Sequence, residues 1–164
     1  MNIIGIDPSA YSLGYCIAKG KIKPEPQLTL VDYGIIKFQQ KVLVQDKLVE
    51  MFDGIGLICK NHQPDIICIE DVYIHFNSRV ALTLSMVKAA TMIGAYKACD
   101  KKPEMFLVHA TTVKKNMISG RASKEDVAKA VSEKFDIDIT DVPHDVTDAI
   151  AVAYTGLIKH TEEL

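Results

Sequence analysis

What the 164-residue sequence lacks narrows its possibilities first. Its four cysteines, Cys16, Cys59, Cys68 and Cys99, include no C-x-x-C pair. Neither a zinc cage nor a dithiol redox motif is indicated, and the four read as small buried hydrophobes. No apolar run stays free of charge over the length of a bilayer. The longest, 80–98, carries Lys88 in its middle and Lys97 near its end, and a cation facing lipid needs a partner. The opening MNIIGIDPSA has no basic region ahead of its apolar residues, so we expect a cytoplasmic protein without a secretory leader or membrane association. No repeat, linker or low-complexity tract interrupts the chain. Its length and its 48% hydrophobic, 24% charged composition fit one globular domain over 1–164. A G-x-x-x-x-G-K-[ST] phosphate loop is missing too.

What is present is patterned. Between 101 and 124 stand Lys101, Lys102, Lys114, Lys115, Arg121 and Lys124 against Glu104 alone, a local +5 in a chain of formal charge −2. Such a run is either a solvated face or a grip on a polyanion. Apolar alternation predicts strands over 2–7, 11–18 and 28–38, joined by short turns into a meander. Residues 41–61 have helical spacing, with Val44, Leu48, Met51, Ile55 and Ile58 on one stripe. DIICIED, 65–71, is a short apolar run bounded by acids, the pattern of a strand buried on both faces. A long helix over 78–99 and a fifth strand over 105–110 follow. Ser123 and Asp126 stand in capping-box register before a helix to about Phe135, and a last helix starts between Val142 and Asp145.

This order defines an α/β fold with a five-stranded mixed sheet, three strands antiparallel and then two parallel, flanked by helices. With right-handed crossovers and the first strand central, 65–71 lies beside 2–7 and parallel to it. Both strands end on a carboxylate, which places Asp7 and Glu70 together at the carboxyl end of the sheet, where open α/β sheets hold ligands. Asp145 and Asp148 share one face of the last helix, a turn apart. Taken singly, each acid reads as a cap or a surface charge, and Asp145 stands where an N-cap is useful. Four carboxylates meeting in one place repel, however, and a lone charge at the end of an apolar strand is expensive to bury. A hard divalent cation removes that difficulty. Oxygen-only ligands suit Mg²⁺ or Mn²⁺, and two such ions can activate a water and stabilise the leaving oxygen in a displacement at phosphorus.

The same residues carry a family likeness. IIGIDPS (3–9), ICIEDVY (67–73) and HDVTDAIAVA (144–153) resemble, in order and interval, the three acidic motifs of the RuvC family of Holliday junction resolvases. That family belongs to the RNase H-like superfamily, and the resemblance covers nearly the whole chain. It implies an RNase H-like fold and a structure-selective endodeoxyribonuclease. Asp7, Glu70, Asp145 and Asp148 are then catalytic and hold two Mg²⁺ ions, with Mn²⁺ able to substitute. It further implies a homodimer with one active site per subunit that nicks two opposing strands of a four-way junction. Tyr73 falls where relatives carry an aromatic wedge, and Lys124 with either Lys114 or Lys115 falls where relatives place lysines on the scissile backbone. Phe76, Arg79 and Arg121 complete the expected DNA contacts.

Read without the family, Tyr73 and Phe76 are aromatics between a strand and a helix, and stacking on an unpaired base is worth ~1–3 kcal/mol. His75, His109 and His144 each read as structural, although His144 abuts Asp145 and could orient a water or a phosphate. The long helix has Val80, Leu82, Leu84, Met86, Val87, Met92, Ile93 and Tyr96 on more than one face. That suits a sheet on one side and a second subunit on the other. Ser9 after the proline, Asp71 beside Glu70 and the slightly acidic balance depart from the bacterial pattern and point to a divergent, phage-type member that also cuts forks. Actin-like ATPases and sugar kinases open with a similar turn but need two such domains. A non-catalytic nucleic-acid-binding module gains nothing from clustered acids. An RNase H-like nuclease acting on ribosomal RNA precursors stays open as an alternative, though it leaves the Tyr73 segment without a purpose.

Overall fold

The computed structural model of the protein describes residues 1–38, 43–71 and 78–164, with backbone alone for 78–80. The order is β1 (Asn2–Pro8), β2 (Ser12–Lys21), β3 (Gln27–Lys37), α1 (Val44–His62), β4 (Ile66–Asp71), α2 (Ser78–Lys97), β5 (Glu104–His109), α3 (Ala110–Met117), α4 (Lys124–Phe135) and α5 (His144–Glu162). The sheet runs β3-β2-β1-β4-β5. β1 pairs antiparallel with β2 and parallel with β4, β2 and β3 are antiparallel, and β4 and β5 are parallel. The expected mixed sheet with β1 at its centre is therefore present.

The sheet separates two cores, and strand periodicity decides which residue enters which. Ile3, Cys16, Ala18, Ile66, Cys68 and Val108 face α3, α4 and α5, while Ile4, Ile6, Leu13, Ile17, Ile67 and Ile69 face α1 and α2. Continuing the alternation, Gly5 and Asp7 follow Ile3 onto the α5 face, and Glu70 follows Cys68 there. Gly5 pairs with Cys68 and Ile6 with Ile69, so Asp7 and Glu70 come next in register. Cys16, Cys59 and Cys68 are buried free thiols and Cys99 is half-buried, in keeping with their reading as small hydrophobes.

α5 lies almost on the backbone of the sheet. A Cβ at Gly5 would stand 2.2 Å from the Ala149 carbonyl oxygen and 2.4 Å from the Ala153 nitrogen, and one at Gly14 would stand 2.0 Å from the Asp145 carbonyl oxygen. Only glycine admits that approach, and it sets the depth at which the first turns of α5 sit.

Four expectations need correction. The buried stripe of α1 is Lys47, Met51, Ile55 and Cys59, with Val44 exposed. Lys47 enters it because its Nζ donates to the Ala10 carbonyl at 3.0 Å and its stem covers apolar surface. α3 was not anticipated: ATTVKKNM has no side-chain cap and is rich in β-branched residues, so local propensity gives it no signal. Asp145 is not the N-cap of α5. Pro143 holds that position without a side-chain bond, and its carbonyl accepts from the Val146 nitrogen at 3.0 Å. The long helix ends at Lys97 rather than 99. By contrast, the Ser123–Asp126 capping box forms in both directions. No described helix is long and apolar enough to cross a membrane.

Candidate active site

The carboxyl ends of β1 and β4 supply Asp7 and Glu70, and the first turns of α5 supply Asp145 and Asp148 from above the same face. Asp7 is 9% exposed and Asp148 8%, while Glu70 and Asp145 are half-buried. Their charges act on one another. Burial pushes the Asp7 carboxyl well above the usual carboxylate range, and Glu70 and Asp148 add to it; Lys124 opposes, and Asp145 contributes least. Glu70 is pushed up to about 7, by burial first and then by Asp148, with Lys124 and Lys114 pulling back. The four acids predicted from the sequence thus share one electrostatic neighbourhood.

Two lysines balance part of this negative charge. Lys124, at the start of α4, donates from Nζ to Asp148 Oδ2 at 2.9 Å. Its partial burial works against its charge, but Asp148, Asp7 and Glu70 outweigh that and raise its pKa. Lys114 reaches the field of Glu70 from α3 and is half-buried, whereas Lys115 and Arg121 are exposed. Lys114 and Lys115 are neighbours on a helix, about 100° apart, so only one of them turns toward the acids. His144 is exposed at the start of α5. His109 lies 3.9 Å from Asp71 Oδ2. Tyr73, His75 and Phe76 lie outside the described residues, as does the side chain of Arg79.

Three side chains were missed from the sequence. Ser12 Oγ donates to Asp145 Oδ2 at 2.5 Å, and Ser9 Oγ stands 2.8 Å from Ser12 Oγ. Lys88 Nζ pairs with Asp71 Oδ1 at 2.5 Å, which gives the cation inside the long apolar helix its partner and ties α2 to the strand that carries Glu70. A signal existed for Ser12: it shares the parity of Gly14, Cys16 and Ala18, and hence the α5 face.

The donor set tests what the site can hold. Four carboxylates, two of them pushed up by burial and then by their acidic neighbours, are oxygen ligands of the kind a hard divalent cation takes. Among the described residues no three acids stand as a ready-made cage, and Lys124 is bonded to Asp148 instead. The donors fit such an ion by chemistry, and binding would exchange the lysine contact for a cation.

A central strand and its parallel neighbour ending in acids, faced by a helix that brings two more, define the RNase H-like class of nucleases. The family model described as crossover junction endodeoxyribonuclease RuvC matches residues 3–156. The crossover junction endodeoxyribonuclease RuvC of Sulfurovum sp. is 36% identical over 158 residues, 96% of this chain and 95% of that protein. The chain belongs to the RuvC family, a family of metal-dependent nucleases. Its fold is that of Thermus thermophilus RuvC, with a TM-score of 0.84 at 19% identity, covering 99% of this chain and 97% of that one. Thermus thermophilus RuvC in complex with a Holliday junction substrate superposes with a TM-score of 0.81 at 17% identity, covering 94% of this chain and 92% of that one.

Proposed function

We propose that the protein is a structure-selective endodeoxyribonuclease, one domain per subunit, that resolves four-way junctions by nicking opposing strands as a homodimer. The observation that carries this reading is the meeting of Asp7, Glu70, Asp145 and Asp148 at one end of the sheet under Lys124 and Lys114. Asp7, Glu70, Asp145 and Asp148 would hold two Mg²⁺ ions, for which Mn²⁺ can substitute, and these would supply an activated water and charge stabilisation at the leaving oxygen. The protein's own contribution is placement. β1 and β4 fix Asp7 and Glu70 side by side, and the close seat of α5 brings Asp145 and Asp148 over them. Lys124, released from Asp148, and Lys114 lie where they can take up the phosphates beside the cut.

Tyr73 and Phe76 stand three and six residues after Glu70 in sequence, which supports their role as stacking residues for bases unpaired at the crossover. Lys115 and Arg121 are exposed and would add affinity along the arms without sequence selection, the role also proposed for Arg79, whose side chain lies outside the described residues. The dimer reading rests on α2. Leu82, Met86, Ile93 and Tyr96 are exposed on it, and they fall on one stripe at helical spacing.

The test incubates the protein with a four-way junction, a fork and linear duplex, each in Mg²⁺, in Ca²⁺ and in chelator. Cutting of branched DNA in Mg²⁺ alone, lost by at least about 10³-fold in Asp7→Asn with junction binding retained, is the expected result. Equal cutting by Asp7→Asn would overturn the reading.

A further inference from the structure

β2 gives none of the four acids, yet it holds one of them at both ends. The Asp145 backbone carbonyl lies against Gly14, where a Cβ would come within 2.0 Å, and the Asp145 carboxylate accepts from Ser12 Oγ at 2.5 Å. Ser12 has its own support in the turn before it. Ser9 Oγ donates to the Ser12 carbonyl oxygen at 3.0 Å, stands 2.8 Å from Ser12 Oγ and accepts from the Ser12 nitrogen at 3.1 Å. A hydroxyl carries a single proton. Ser12 spends its proton on Asp145, and Ser9 shares its one proton between the Ser12 carbonyl oxygen and Ser12 Oγ. Ser9 thus braces Ser12 through both its backbone and its hydroxyl, and Ser12 donates to Asp145.

We propose that Ser12, braced by Ser9, is a positioning residue that sets the orientation of Asp145 for divalent-cation binding. This rests on the nuclease reading above. The two acids of α5 are restrained by opposite kinds of partner. Asp148 is held by the ammonium of Lys124, a charge that an incoming cation must displace. Asp145 is held by a neutral hydroxyl, which takes up one lone pair of a carboxylate that has about four. The Ser12 bond can thus persist unopposed when the site is loaded, whereas the Lys124 ammonium stands against the incoming charge. Partners behind a ligating carboxylate are worth about 10- to 100-fold in metal affinity when they are lost.

The experiment compares Ser12→Thr with Ser12→Val in the full-length protein. The two side chains have the same shape and differ in the hydroxyl. Mg²⁺ and Mn²⁺ affinities are measured without DNA, by calorimetry and by the rise in melting temperature, beside the Mg²⁺ dependence of junction cleavage. Ser12→Val is expected to weaken divalent binding about tenfold and to raise the Mg²⁺ concentration for half-maximal cleavage by the same factor. Cleavage at saturating Mg²⁺ should stay within about twofold, and Ser12→Thr should match the wild type in every readout. Equal affinity in the two variants would overturn the proposal, as would a loss in Ser12→Val matched by an equal fall in metal-free melting temperature. If those variants agree while Asp7→Asn still abolishes cleavage, only the role of Ser12 falls. If wild-type protein cuts equally well in chelator, the metal-dependent reading falls, and this inference with it.

Discussion

The two faces of the sheet are finished differently. On one, α5 is buried at every position from Val146 to Ala153, with small residues where it meets the strands and glycines beneath it. On the other, α1 and α2 meet the sheet with larger side chains and close on each other at Gly94, where a Cβ would stand 2.6 Å from the Phe52 carbonyl oxygen, and α2 leaves Leu82 63% and Ile93 58% exposed. The first face holds the acids, and backbone-to-backbone contact leaves little room for α5 to shift against Asp7 and Glu70. The second face has apolar surface to spare, which the proposed dimer would cover. Rigidity is concentrated where charges must be placed, and unfinished packing is kept on the opposite side.

The largest expected effect comes from making the same change on both faces. Gly5→Ala drives a methyl into the Ala149 carbonyl and the Ala153 nitrogen, both backbone atoms that cannot swing away. It should cost about 3 kcal/mol or more in urea denaturation followed by circular dichroism. Gly56→Ala, on α1, puts its methyl 3.5 Å from the Gly94 carbonyl oxygen, an ordinary contact. There the helix gains, by about 0.5–1 kcal/mol. Two small effects of like sign would remove the contrast.

The exposed stripe of α2 is tested by charge. Leu82→Asp with Ile93→Asp should turn a dimer into a monomer in sedimentation, weakening self-association by at least about 100-fold. The urea midpoint of the isolated subunit should hardly change, since both positions are exposed. Unaltered sedimentation would place the subunit contact elsewhere.

How much of this was legible in the sequence follows from the range of each interaction. The β1–β4 pairing and the side-by-side placement of Asp7 and Glu70 were readable, because two apolar runs each ended in an acid and the handedness of crossovers left one arrangement. The capping box at Ser123 was readable because it is local. α3 was not: it continues straight from β5 without a breaker, and tertiary packing of Val113 rather than propensity sustains it. Ser12 and Asp145 are 133 residues apart, and nothing within either segment announces the other. Lys47 was missed because a lysine on an apolar stripe reads as an interruption, whereas here its ammonium finds a turn carbonyl. The choice between Lys114 and Lys115 needed the phase of a helix that had not been foreseen.

The acid-bearing face should also show its cost in its pH response. Burial, with Asp148 behind it, pushes the Glu70 carboxyl up from 4.5 to about 7 in the folded protein. An acid whose folded pKa is raised stabilises the fold most below its unfolded pKa, and that contribution is lost as pH rises through the folded value. In chelator, wild-type stability should therefore decline between about pH 4.5 and 7 relative to Glu70→Gln, the gap reaching on the order of 2 kcal/mol by pH 8. Burial of Asp7 acts in the same direction. Added Mg²⁺ should close or reverse the gap in wild-type protein alone. A gap that is independent of pH would mean that Glu70 is not held among these charges.

The smallest expected effect separates two adjacent lysines of α3, one turned toward the acids and one toward solvent. Both can meet DNA phosphates, so each, replaced by Ala, should lower the slope of log affinity against log salt by up to about one. Lys114 alone bears on Glu70, so Lys114→Ala should also lower the cleavage rate at saturating DNA and Mg²⁺, by about tenfold if it touches the phosphate that is cut. Lys115→Ala should leave that rate within about twofold and reveal itself only in salt-dependent binding. The reverse pattern would mean that α3 presents its other side to the junction, and the acids on the α5 face would then have Lys124 as their one cationic neighbour of consequence among the described residues.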